Sequence, residues 1–101
     1  MFFKLTPSIT INELSSKLAE KPQILDVREP NEFSAGHIPG AKNIPLGKVS
    51  SYTPKGKTYI ICQSGMRSKR AAKLLLSKGY DVANIRGGMS SWTGQTRGGK
   101  L

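Results

Sequence analysis

Residues 58–68 read TYIICQSGMRS, and this stretch decides the fold because it joins three kinds of local structure. Residues 58–61 are a short apolar run that predicts a strand. Cys62 follows the strand directly, Gln63, Ser64 and Gly65 form a tight loop, and a helix is predicted from Met66 to Lys78. Cys62 is therefore expected at the point where a strand ends, just before a helix begins.

The rest of the chain alternates predicted strands with predicted helices. Thr10 and Glu13 form a capping box, and the helix that they open is predicted to end before Pro22. Such alternation implies an α/β fold in which a parallel sheet is covered on both faces. Ligands bind such sheets beyond the carboxyl ends of the strands, where Cys62 lies. Further strands are predicted at 23–27, 42–44 and 82–86, a further helix at 30–35, and a final turn of helix that reaches Trp92. The residues predicted to face inward from the helix at 66–78 are Ala71, Ala72, Leu74, Leu75 and Leu76.

The chain has 101 residues, which predicts a single domain. Its core is expected at about 5–93, followed by a polar, frayed tail at 94–101. Apolar residues make up 37%, and no apolar run approaches the roughly 20 residues that span a bilayer. The opening residues 1–4 lack the pattern of a signal peptide. We therefore expect a soluble, cytoplasmic protein without a membrane partner.

One cysteine, Cys62, and one histidine, His37, limit the chemistry. A single cysteine allows no disulfide within the chain and no thiolate cluster, and an internally built zinc site is not expected. Cys62 is then either an inert buried residue or a working thiol.

The formal net charge of +10 makes nucleic acid a partner to consider. The basic residues are dispersed, however, and aromatic residues make up only 7% and are not interleaved with them. Nucleic acid is therefore not expected as the main partner, whereas small anions would be attracted.

The loop at 62–68 points to a working thiol. Backbone amides and the positive end of the helix dipole would surround the sulfur and lower its pKa below the free value of about 8.5. Arg67, Lys69, Arg70 and Lys73 add positive potential nearby. Such a site is suited to hold a sulfur anion.

Four blocks of sequence resemble the rhodanese-like sulfurtransferases. They occupy residues 25–33, 36–46, 62–68 and 85–92, in the order of that family, and together they extend over most of the chain. The resemblance implies a parallel five-stranded sheet flanked by helices on both faces, with Cys62 as the catalytic residue. The implied substrate- or persulfide-binding loop consists of Gln63, Ser64, Gly65, Met66, Arg67 and Ser68.

The resemblance also implies a ping-pong reaction. Cys62 would take the outer sulfur from thiosulfate or another small sulfane-sulfur donor, and a thiol, a protein cysteine or cyanide would then remove it. No metal or organic cofactor is implied. The related dual-specificity phosphatases have a longer loop between cysteine and arginine, whereas four residues intervene here, which favours sulfur over phosphate. The absence of a second cysteine argues against a thiol relay.

Several side chains keep two interpretations. Arg67 would grip the sulfonate end of thiosulfate, or it would pair with a carboxylate. Asp26 and Arg28 are supporting candidates: Asp26 would orient Arg67 or the loop, or the two would form a purely structural ion pair. The hydroxyls of Ser64 and Ser68 would donate to the sulfur, or Ser68 would satisfy amides of the first helical turn.

His37 and Trp92 are assigned structural roles. The block that contains His37 makes it a turn-stabilising residue rather than a general base, and Trp92 is interpreted as a packing anchor. Beyond Trp92 the chain departs from the family pattern, since residues 93–101 are polar and glycine-rich.

Three hypotheses about function follow. The first is a sulfurtransferase that works through a Cys62 persulfide. The second is a sulfur-carrier module that receives persulfide from a partner enzyme. The third is a catalytically silent, basic rhodanese-like binding module.

Overall fold

Five short strands form one parallel sheet in the computed structural model, which describes residues 5–99. Residues 1–4, on which the prediction of no signal peptide depends, lie outside the described residues, as do residues 100 and 101. The strands are β1 (Ser8–Ile9), β2 (Gln23–Asp26), β3 (Lys42–Asn43), β4 (Thr58–Ile61) and β5 (Val82–Ile85), and their order in the sheet is β1-β5-β4-β2-β3.

Helices cover the sheet on both faces, which confirms the predicted α/β fold class. The α-helices are α1 (Ile11–Lys17), α2 (Pro30–Ala35) and α3 (Met66–Ser77), and 3-10 turns are formed by Leu18–Glu20, Leu46–Ser51 and Gly88–Ser91. None of the helices within residues 5–99 combines the length and the hydropathy that crossing a bilayer requires.

Side chains of adjacent residues on the central strand enter two separate cores, because a strand alternates its faces. Ile60 belongs with Cys62, Val49 and Leu75 to the core under α3, whereas Ile61 belongs to the core under α1. The register pairs Asp26 with Ile61, so the carboxyl ends of β2 and β4 meet at one edge. That edge holds Cys62.

The capping box that opens α1 is present as predicted. The Glu13 amide donates to Thr10 Oγ1 and the Thr10 amide donates to Glu13 Oε1, both at 3.1 Å. α1 is followed by a 3-10 turn that ends at Lys21, which adopts a left-handed conformation with φ of 52° directly before Pro22. The chain then enters β2.

The prediction that Leu74 faces inward is wrong. Ala71, Ala72 and Leu75 are buried, but Leu74 is 36% exposed. An α-helix turns by about 100° per residue, so Leu74 lies on the same side as Arg70, four residues earlier, and away from the sheet. A run of three leucines therefore does not lie on one face.

The prediction of a frayed tail is wrong for the part that the structure describes. His37 and Arg97 exchange two backbone hydrogen bonds of 2.8 Å each, and the Gly99 amide donates to the Ser34 carbonyl at 2.8 Å. Residues 93–99 expose most of their side chains, so the composition gives no sign of this backbone pairing.

The orientation of α3 predicts a large difference between two neighbouring leucines. Leu75→Ala should lower the free energy of unfolding by about 2–5 kcal/mol, because it leaves a cavity in the core. Leu74→Ala should lower it by less than about 1 kcal/mol. Urea unfolding followed by circular dichroism measures both, and equal losses would contradict the orientation of α3.

Candidate active site

Cys62 lies directly after β4, near the middle of the sheet, at the carboxyl ends of the strands. Its neighbour Gly65 caps α3 in a left-handed conformation with φ of 105°, which allows the chain to turn from the strand into the helix within three residues. Cys62 is fully buried, whereas the next two residues, Gln63 and Ser64, are exposed. The loop predicted from the sequence thus lies over the sulfur.

Hydrogen-bond donors converge on the sulfur. The Gly65 amide donates to Cys62 Sγ at 3.0 Å, and Sγ lies 3.3 Å from Ser68 Oγ. The Ser68 hydroxyl also contacts Asn84 Oδ1, on β5, at 2.5 Å. With a neutral thiol, the proton of Cys62 points to Ser68 and that of Ser68 to Asn84. With a thiolate, the Ser68 hydroxyl is the group that donates to sulfur.

These donors lower the pKa of the Cys62 thiol. Burial alone raises the pKa, but it is outweighed by the hydrogen bond from the Ser68 side chain and by the backbone amides of Ser68, Gly65 and Ser64. The direction agrees with the sequence prediction, and the cause is the local set of donors. A larger fraction of Cys62 than of a free cysteine is therefore nucleophilic thiolate at neutral pH.

A glycine turn after β5 braces the loop from outside. Gly88 adopts φ of 57°, and a Cβ added to it would meet the Cys62 carbonyl oxygen at 2.3 Å. The Met89 amide donates to that same carbonyl at 2.8 Å, and the Ser90 amide donates to the Gln63 carbonyl at 2.9 Å. Sequence reasoning did not assign a site role to this turn, although the adjacent Gly87 and Gly88 were a signal for close backbone approach.

Asp26 and Arg28 form a buried ion pair behind the loop. Arg28 Nη2 lies 2.9 Å from Asp26 Oδ2, and the two side chains are 5% and 0% exposed. Arg28 also donates to the Gly36 carbonyl at 2.8 Å and to Gln63 Oε1 at 3.3 Å. Asp26 therefore contacts Arg28 and not Arg67. The structure shows the Asp26–Arg28 ion pair, and Arg28 also contacts the loop through Gln63, so the supporting role of the pair stays a prediction.

Arg67 pairs with Glu32. Its Nη1 and Nη2 donate to the two carboxylate oxygens of Glu32 at 2.7 and 2.8 Å. The hydrogen bonds from Arg67 lower the pKa of Glu32 to about 2 and raise that of Arg67. Of the two contacts predicted for Arg67, the structure shows the pairing with a carboxylate, which is that of Glu32. Glu32 was missed as a residue of the site, although it lies in the block at 25–33.

His37 and Trp92 have the structural roles that the sequence predicted. The His37 ring stacks on Phe33 with centroids 3.6 Å apart, and its Nδ1–H donates to the Phe33 carbonyl at 2.8 Å. Trp92 packs against the core under α1 and donates to the Gln95 carbonyl at 3.0 Å. Neither side chain contacts Cys62.

One surface cavity lies away from Cys62. It encloses about 670 Å³ between α1 and Trp92 and is lined mainly by apolar side chains, Leu18, Ile24 and Ile38 among them. Across residues 5–99, no group of three or more His, Cys, Asp or Glu side chains is arranged to hold a metal ion. We assign the site to the loop because the reactive atom and its hydrogen-bond donors are there.

The family model of the rhodanese-like domain matches residues 10–95, and the chain belongs to this family. A Bacillus subtilis protein provisionally named sulfur carrier protein YrkF is 40% identical over 97 residues, which is 89% of this chain. The match covers 52% of YrkF, so this chain spans about half of that relative. A sulfurtransferase from Allochromatium vinosum is 37% identical over 91 residues, covering 83% of this chain and 85% of the relative.

A crystal structure of a rhodanese-like domain protein from Staphylococcus aureus superimposes with a TM-score of 0.80 at 38% identity. The superposition covers 87% of this chain and 92% of that protein. This similarity over nearly the whole of both chains agrees with the five-stranded fold described above.

The hydrogen bond from Ser68 predicts which serine sets the pKa of Cys62. Ser68→Ala should move the pKa of Cys62 upward, because it removes the hydroxyl that stabilises the thiolate. Ser64→Ala is the matched control, since only the backbone amide of Ser64 acts on the sulfur and that amide remains.

The pH dependence of alkylation by iodoacetamide measures this pKa. Its midpoint reports the thiolate even though burial slows the absolute rate. A wild-type midpoint at or above that of a free thiol would overturn the lowered pKa, and an equal shift in both variants would overturn the role of the Ser68 hydroxyl.

Proposed function

We propose that the protein is a sulfurtransferase that carries sulfane sulfur as a persulfide on Cys62. The observation that carries this proposal is that the Gly65 amide and the Ser68 hydroxyl both contact one sulfur, at 3.0 and 3.3 Å, in a loop that lowers the pKa of its thiol. The relatives named as a sulfurtransferase and provisionally as a sulfur carrier support sulfur transfer in general. A reducing compartment such as the cytoplasm belongs to the proposal, because the thiol must be free.

The first half-reaction loads the sulfur. Cys62 thiolate attacks the outer sulfur of thiosulfate, a new S–S bond forms, and the bond to the sulfonate sulfur breaks. Sulfite leaves with the electron pair, and the enzyme retains a persulfide anion. Total charge is conserved, so the step requires no oxidant or reductant.

The second half-reaction removes the outer sulfur from the Cys62 persulfide. A thiophilic acceptor attacks the outer sulfur, and the Cys62 sulfur leaves as thiolate. Cyanide is the convenient acceptor in an assay, while a thiol or a protein cysteine is the acceptor that we propose in the cell. Donors that lower the pKa of Cys62 raise the fraction of thiolate that attacks in the first step, and they stabilise the thiolate that leaves in the second.

The Arg67–Glu32 pair favours a second candidate function, that of a sulfur carrier. The cation expected to grip the sulfonate group of thiosulfate is already bound by two short hydrogen bonds to a carboxylate. A donor without a sulfonate group, such as a persulfide on a partner enzyme, would not compete with Glu32. The carrier would use the same Cys62 persulfide but would react slowly with thiosulfate.

The persulfide is tested by intact-protein mass spectrometry. After incubation with thiosulfate and washing, the wild-type protein should gain the mass of one sulfur atom and lose it again with cyanide. Cys62→Ser should gain nothing, because serine forms no persulfide.

Three outcomes would redirect the proposal. Thiosulfate:cyanide transfer that survives in Cys62→Ser would show that the mechanism is wrong. Loading by a cysteine desulfurase but not by thiosulfate would favour the carrier. A Cys62 thiol that accepts sulfur from neither donor would favour the third hypothesis, that of a catalytically silent binding module.

The Arg67–Glu32 pair predicts how thiosulfate affinity responds to one charge. Glu32→Gln should lower the KM for thiosulfate by about two- to fivefold, because it frees Arg67 and removes a negative charge near the dianion. Glu20→Gln removes the same charge from the end of the 3-10 turn after α1 and should leave KM unchanged.

Steady-state thiosulfate:cyanide assays measure both variants. A KM that rises in Glu32→Gln would mean that Glu32 positions Arg67 for the substrate instead of competing with it.

A further inference from the structure

One side of α3 is exposed along its length and begins at the active-site loop. We name it the α3 outer face, defined by Met66, Lys69, Arg70, Lys73 and Leu74. All five residues are exposed, and their spacing of three and four places them on one side of the helix. Leu74 lies about 12 Å along the helix axis from Met66, given the rise of about 1.5 Å per residue.

This face is positively charged and lacks compensating acids. From residue 33 to residue 80 the sequence contains nine Lys or Arg and no Asp or Glu. The ion pairs of the described residues engage Arg28, Lys57 and Arg67. Within residues 5–99, therefore, Lys69, Arg70 and Lys73 have no carboxylate partner.

The same face also exposes apolar side chains. Of the three large apolar residues that are exposed in the described part of the chain, Met66 at 75% and Leu74 at 36% both lie on it, and Leu5 is the third. Arg70 lies between them, one helical turn from each. Met and Arg are enriched in protein interfaces, where an apolar centre is surrounded by charge.

We propose that the α3 outer face docks an acidic protein whose cysteine exchanges sulfur with Cys62. The proposal rests on the proposed function and adds the class of partner. A partner seated on this face lies beside the loop, because Met66 is the first residue of the helix and the Gly65 amide contacts the sulfur. In the direction of unloading, the partner thiolate attacks the outer sulfur of the persulfide, its S–S bond forms, and Cys62 leaves as thiolate.

The composition of the face favours a protein over a nucleic acid. A surface that binds single strands combines positive charge with aromatic side chains on which bases stack. The α3 outer face has no aromatic residue, and the nearby Tyr52 and Tyr80 are half-buried. Exposed Met66 and Leu74 find apolar partners on a protein and none on a phosphate backbone.

A pair of synthetic peptides tests the proposal. Both contain one cysteine flanked by leucines; the first is rich in glutamate, and the second has lysine at the same positions. Unloading of the Cys62 persulfide should be at least about fivefold faster with the acidic peptide, and salt near 1 M should abolish the difference by screening.

Variants on the face identify the contact. Arg70→Glu/Lys73→Glu should remove the advantage of the acidic peptide, expressed as the ratio of its unloading rate to that of the lysine peptide in the same variant. Lys21→Glu/Lys55→Glu is the matched control, because it reverses two exposed charges outside α3 and should retain the advantage. Leu74→Ala should weaken peptide binding by about two- to threefold, since it removes an apolar contact.

A binding measurement separates failure of this proposal from failure of the proposed function. Calorimetry with the acidic peptide carrying serine in place of cysteine needs no sulfur chemistry. Binding that depends on Arg70, Lys73 and Leu74 supports the docking face even if thiosulfate loads no persulfide. Equal binding of acidic and basic peptides overturns the proposal. Tighter binding of a single-stranded RNA oligonucleotide that is insensitive to Leu74→Ala overturns it in favour of nucleic acid.

Discussion

The buried ion pair between Asp26 and Arg28 is the interaction on which the arrangement of the site depends. Asp26 ends β2, and Arg28 extends from it to the Gly36 carbonyl and to the side chain of Gln63 in the loop. One guanidinium thus joins three segments at the edge of the sheet. Removing one partner of such a pair leaves an uncompensated buried charge, at a cost of about 3–5 kcal/mol. The pair thus holds the side chain of Gln63, the residue that follows Cys62.

Much of the fold could be predicted from local signals. The Thr10 capping box, the helix at 30–35 and the strand at 58–61 depend on neighbouring residues, and the structure confirms them. β1 has only two residues, so no periodicity identifies it, and only the family resemblance implied a fifth strand. Its position is set by pairing with β5, a contact distant in sequence. The pairing of Arg97 with His37 was missed for the same reason.

The candidate site was predictable where its parts are contiguous. Cys62, its loop and the start of α3 follow one another in the chain, and the donors around the sulfur come from that stretch. Glu32 and Asn84 were missed because each reaches the site from another element, and no local pattern shows which side chain it meets. Asn84 gave the clearer signal, as a buried polar residue in an otherwise apolar strand. Leu74 shows the reverse error, an apolar residue assumed to be inside because of its type.

The contact between Gly88 and the Cys62 carbonyl has a consequence for how such a loop changes over evolutionary time. The carbonyl groups of Cys62 and Gln63 accept backbone hydrogen bonds from a turn more than twenty residues later in the chain. An insertion that widens the loop for a larger group would break these bonds unless the glycine turn moved with it. The width of the loop after Cys62 thus depends on the glycine turn at 87–90 as well as on the loop itself. A single-residue insertion in the loop is therefore disfavoured by a segment that is distant in the sequence.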